Sequence, residues 1–84
     1  MADTPRISLK YPLTNATGDR IESLPITRLK RRDLKAADKY SKDAGDQEDF
    51  LFAKMTGLTV EDIEALDVAD SKVVSDAFRE MVGD

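Results

Sequence analysis

The sequence has no cysteine, no histidine and no tryptophan, and only 6% of its 84 residues are aromatic. Without Cys there is no disulfide framework, and without Cys and His the usual ligands of zinc and haem are missing. The same absences exclude Cys/His and Ser/His/Asp nucleophilic chemistry, and with them most enzyme classes. A non-enzymatic protein with no cofactor and no metal is the expectation. No run of 18 apolar residues occurs, and Met1-Ala2-Asp3-Thr4-Pro5 does not lead into the apolar core of a secretory signal. A soluble cytoplasmic protein without membrane contact follows as the expectation.

What is present suffices for one small domain over residues 1–84: 40% of the side chains are apolar, enough for one core and too few for two. The net charge of −4 conceals a segregation. Residues 1–27 carry three basic and three acidic side chains, residues 28–42 seven basic and two acidic, and residues 43–84 three basic and twelve acidic. Such a pattern fits internal complementarity between packed elements, and it fits equally a bipolar surface made for partners.

Arg6-Ile7-Ser8-Leu9-Lys10-Tyr11-Pro12-Leu13 alternates with period two, which places Ile7, Leu9, Tyr11 and Leu13 on one face of a strand. Thr14-Asn15-Ala16-Thr17-Gly18-Asp19 is turn chemistry, with Asn15 and Gly18 tolerant of positive φ. The chain returns through Ile21, Leu24 and Ile26, so a β-hairpin over 6–27 is expected. Pro12 and Pro25 limit its pairing, and its free edges leave weak self-association open. From about Lys30 to Lys42 the period becomes helical. Leu34, Ala36, Ala37 and Tyr40 share one arc, and Arg31, Arg32, Lys35, Lys39 and Lys42 the opposite one. Three further short helices are expected, about Gln47 to Met55, Val60 to Leu66 and Val68 to Val82. The whole is an α+β fold: an N-terminal β-hairpin followed by a small bundle of about four short helices over 30–82.

The stretch Asp49 to Asp70, DFLFAKMTGLTVEDIEALDVAD, sets the angles between those helices. Gly57 suits the left-handed residue that ends a helix, and Thr59 suits the N-cap of the next. Asp67 repeats the start signal, and Asp70 is expected to cap first-turn N–H groups of its own helix or to pair with a basic residue of the first helix. The acidic run Glu61, Asp62, Glu64, Asp67 and Asp70 lacks the spacing and central Gly of a calcium loop, so capping explains it better.

Two surfaces stand out as candidates for partner binding. Phe50, Phe52, Met55, Phe78 and Met81 are more than four short helices readily enclose, and aromatic and Met side chains on an exposed patch suit an amphipathic helix. The basic face, with Arg28, Arg31 and Lys35 foremost, suits acidic segments of a protein. A phosphate backbone fits it less well, because pI is near 4.8 and no aromatic residue is interleaved for stacking on bases.

These same residues resemble a known family, the small tail assembly chaperones of Mu-like and related long-tailed bacteriophages. The likeness spans about residues 7–82 and is most specific in the Thr56-Gly57-Leu58-Thr59 junction with Glu61 and Asp62, in the Leu66-Asp67 step and in Asp70. ITRLKRRDLKAADKY also matches the pattern of the first helix. The resemblance implies a chaperone that binds the long, helical tape measure protein in the bacterial host cytoplasm and keeps it soluble. It implies too that the chaperone helps tail tube protein assemble around that partner and is absent from the mature virion. Two alternatives from other classes are a small nucleic-acid-binding regulator and a structural tail completion or tube-associated protein.

Overall fold

Alternation of apolar and polar residues builds the first layer. In the computed structural model, which describes residues 5–83, β1 (Arg6–Thr14) pairs antiparallel with β2 (Arg20–Pro25). Ile26 N–H extends the pairing by donating to the Pro5 carbonyl at 2.7 Å. The connecting turn uses Gly18 at φ +87°. Asn15 contributes in another way than expected: its φ is not positive, and its side-chain oxygen instead accepts from the N–H groups of Thr17 and Asp19.

The hairpin is not regular. Ser8 pairs with Ser23 and Leu13 with Ile21, so four residues of β1, from Leu9 to Pro12, stand opposite Glu22 alone. β1 bulges, and the inward alternation is broken. Leu9 and Leu13 remain buried, while Tyr11, expected on the same face, turns outward and is 51% exposed.

Four helices follow, in the order read from the sequence: α1 (Arg31–Tyr40), α2 (Ala44–Thr56), α3 (Val60–Glu64) and α4 (Val68–Gly83). Three boundaries move, one of them the end of α3, which falls at Glu64 instead of Leu66. α1 stops at Tyr40 instead of Lys42 because Ser41 is extended, with its hydroxyl accepting from Asp43 N–H and donating to the Asp46 carboxylate. α2 starts at Ala44, ahead of the expected Gln47, because Asp43 is its N-cap and accepts from Asp46 N–H at 2.9 Å. The other junctions fall where their chemistry puts them. Gly57 ends α2 at φ +79°, Thr59 accepts from Asp62 N–H to start α3, and Asp67 accepts from Ala69 N–H to start α4.

The core lies between the hairpin and α2, α3 and α4. Leu9, Leu13, Leu24, Phe52, Met55, Ile63, Leu66 and Val74 form one buried cluster. Thr27 N–H donates to the Met55 carbonyl at 2.9 Å and ties the end of the hairpin to the end of α2. α1 lies outside this cluster and packs on α2, where Ala37 and Leu51 are buried.

Asp70 does something the sequence pattern conceals. It is 3% exposed, and its two carboxylate oxygens accept from Lys10 N–H at 2.8 Å and Tyr11 N–H at 2.9 Å. Both donors lie inside the bulge of β1, where no strand carbonyl faces them. Neither expected role holds: the helix start is served by Asp67, and the basic face of α1 is elsewhere. The carboxylate fastens α4 to the hairpin, replacing the hydrogen bonds that the bulge costs β1.

Candidate partner-binding groove

The elements that surround the core leave one end of the molecule open. Between the start of α1 and the end of α4 lies a hollow of about 280 Å³, lined by Arg28, Leu29, Lys30, Arg31, Leu34, Phe78, Met81 and Val82. Its floor comes from the segment 26–30, which is held locally: Lys30 N–H donates to the Asp33 carboxylate at 2.8 Å, and Leu29 N–H points at the Met81 sulfur at 3.3 Å. The Arg28 guanidinium reaches the Met81 carbonyl at 3.4 Å, near the end of α4. Phe78 and Met81 are half-buried, whereas Leu34 is 45% and Val82 69% exposed. On the outer side of Leu34 a shallower depression runs along α1, lined by Arg31, Leu34, Lys35, Asp38 and Lys39. Leu34 therefore stands on the ridge between two concavities.

The residues singled out from the sequence fall into three places. Phe78, Met81, Arg28 and Arg31 meet in the groove, and Lys35 lies in the adjoining depression. Phe50 is apart from them, its ring 5.0 Å from that of Tyr40 with the Lys54 ammonium 5.5 Å from its centroid. Phe52 and Met55 are core residues, 3% and 0% exposed, with Phe52 meeting Phe78 edge-on at 5.6 Å. Leu29, Lys30, Leu34 and Val82 complete the groove and were not among the singled-out contacts. Leu34 shares an arc with Ala37 and Tyr40, but of these only Ala37 is buried, and Leu34 and Tyr40 are 45% and 49% exposed.

The cations of α1 lack acidic partners among the described residues. The ion pairs formed by Arg20 with Glu22, Lys42 with Asp38, Lys72 with Asp76 and Arg79 with Asp76 are all local in sequence. Among the described residues no carboxylate lies within ion-pairing distance of Arg31, Arg32, Lys35 or Lys39. α1 packs on α2 through its apolar side, and its cations Arg31, Arg32, Lys35 and Lys39 stay on the surface, so much of the segregation seen in the sequence remains there. Among the described residues no helix is long and apolar enough to cross a membrane.

Fold and surface together define a small α+β protein that carries, among several concavities, an apolar groove with a basic wall. The sequence belongs to the family of phage tail assembly chaperone proteins, described as E, or 41 or 14, whose family model matches residues 6–83. No curated protein and no solved structure matches the chain. Membership makes it a chaperone of phage tail assembly, with proteins of that assembly as its partners.

Proposed function

We propose that the chain binds the tape measure protein, keeps it soluble in the cytoplasm of the bacterial host and leaves before the virion is complete, acting by binding alone. Tail tube protein is a second partner on this reading, met when it polymerises around the tape measure protein. The observation that carries the reading is the groove between α1 and α4, where apolar side chains stay open to solvent beside Arg31, which has no carboxylate within ion-pairing distance among the described residues. A helical protein awaiting assembly exposes apolar stripes, and a small, charged domain that covers one of them keeps the pair soluble.

Co-expression tests the reading. The tape measure protein is expected in the insoluble fraction when produced alone and in the soluble fraction when produced with this chain. An unchanged insoluble fraction would overturn the proposal. Mass spectrometry of purified virions supplies a second check, since recovery of the chain in stoichiometric amounts would make it a structural tail component.

A further inference from the structure

Resting on that reading, we infer that the groove between α1 and α4 takes a single amphipathic helix of the partner, with an acidic flank lying along α1. Three observations lead there. The walls are made of side chains, and the floor's Leu29 and Lys30 N–H groups are already directed at Met81 and Asp33, so neither is offered as a donor to an extended peptide. A segment whose backbone is satisfied internally, a helix, suits such a site. The volume sets the anchors. A cavity of about 150 Å³ holds a benzene ring, so the hollow of about 280 Å³ holds two aliphatic side chains, such as those one helical turn apart.

The third observation fixes the chemistry of the flanks. Lys30 and Arg31 stand on the α1 side with Lys35 beyond them, whereas the last turn of α4 has no basic residue. Arg28, held at the Met81 carbonyl, is the one lining cation that reaches α4, so positive charge is heavier on the α1 side. A docked helix gains more attraction from Asp or Glu on the flank facing α1 than from acids on the other.

The test uses the full chain and two synthetic 18-residue peptides with the same leucine stripe, one carrying Glu and the other Lys on a single flank. Fluorescence anisotropy should show the Glu peptide binding at least tenfold more tightly at low salt, with the gap closing as sodium chloride rises. Lys30→Glu with Arg31→Glu should reverse the preference. Leu34→Asp and Val82→Asp, both at exposed positions and checked for folding by circular dichroism, should each abolish binding.

Equal binding of the two peptides, or binding indifferent to Leu34→Asp, overturns the inference. So does displacement of the Glu peptide by duplex DNA, which would make the basic wall a phosphate site. A self-dimer seen by sedimentation and broken by Leu34→Asp also overturns it, since a second copy would then occupy the groove. The same variants scored by co-expression separate the two proposals. A soluble tape measure protein without peptide preference removes the groove inference alone, and peptide preference without solubilisation removes only the identity of the partner.

Discussion

At the hairpin side of the molecule a defect is closed from within, and at the α1 side a gap is left open. The bulge of β1 exposes two N–H groups, and Asp70 arrives from α4 to accept from both. Around it Leu24, Met55 and Val74 are almost wholly buried. At the start of α1 the pattern is reversed: Leu34 and Val82 keep much of their surface in water, and Arg31 and Lys35 have no described carboxylate beside them. α4 takes part in both ends, with Asp70 near its start and Val82 near its close. The difference lies in whether the polar and apolar groups find partners inside the chain, and it separates the part that makes the fold from the part that is free to bind.

Substitutions can break this contrast, and the largest effect is expected in the closed half. Met55→Ala opens a cavity under the hairpin and should cost about 2–5 kcal/mol, read from urea denaturation. Asp70→Ala strands two amides and should cost about 3 kcal/mol, with hydrogen exchange at Lys10 and Tyr11 accelerating before the rest of the hairpin. Asp70→Asn should lie between that variant and wild type, because an amide oxygen accepts at one of the two positions while its NH2 group faces a donor. Protected amides in Asp70→Ala would mean that the bulge is held by something else.

Gly57→Ala sharpens the comparison by acting on backbone alone. No atom lies within 4 Å of an added Cβ, so the expected loss of about 1 kcal/mol comes from the left-handed conformation at φ +79°. A thermal shift no larger than that of an exposed surface variant would contradict this assignment. The smallest effect on stability belongs to the open half. Leu34→Asp should stay within about 0.5 kcal/mol of wild type while losing the ability to solubilise the partner. A large loss of stability there would place Leu34 in the closed half after all.

Much of this architecture is legible in the sequence because it rests on local chemistry. The hairpin follows from alternation and a Gly-containing turn, and Gly57, Thr59 and Asp67 act on N–H groups or φ angles within a few residues of themselves. The start of α2 was misplaced because Asp43 and Asp46 offer equivalent caps, and only the Ser41 hydroxyl, bonded to both, decides between them. The outward turn of Tyr11 was beyond reach. Pro12 hints at broken pairing, but which residues bulge depends on a carboxylate far along the chain. Of the candidate contacts, Phe78, Met81, Arg28 and Arg31 line the groove, whereas Phe52 and Met55 share the chemistry of the first two and lie in the core. Residue type announces stickiness. Only packing tells which sticky residues are spent on the fold.

The bond between Asp70 and the bulge also bears on how the protein is made. The hairpin leaves the ribosome early, yet the group that closes it belongs to the last helix. A nascent chain that has released β1 to α3 still lacks an acceptor for two strand amides, and contacts so distant in sequence form late and slowly. Maturation of the domain therefore waits for α4, the same helix that supplies one wall of the groove. One helix thus serves both halves, its first turn locking the hairpin and its last turns walling the groove.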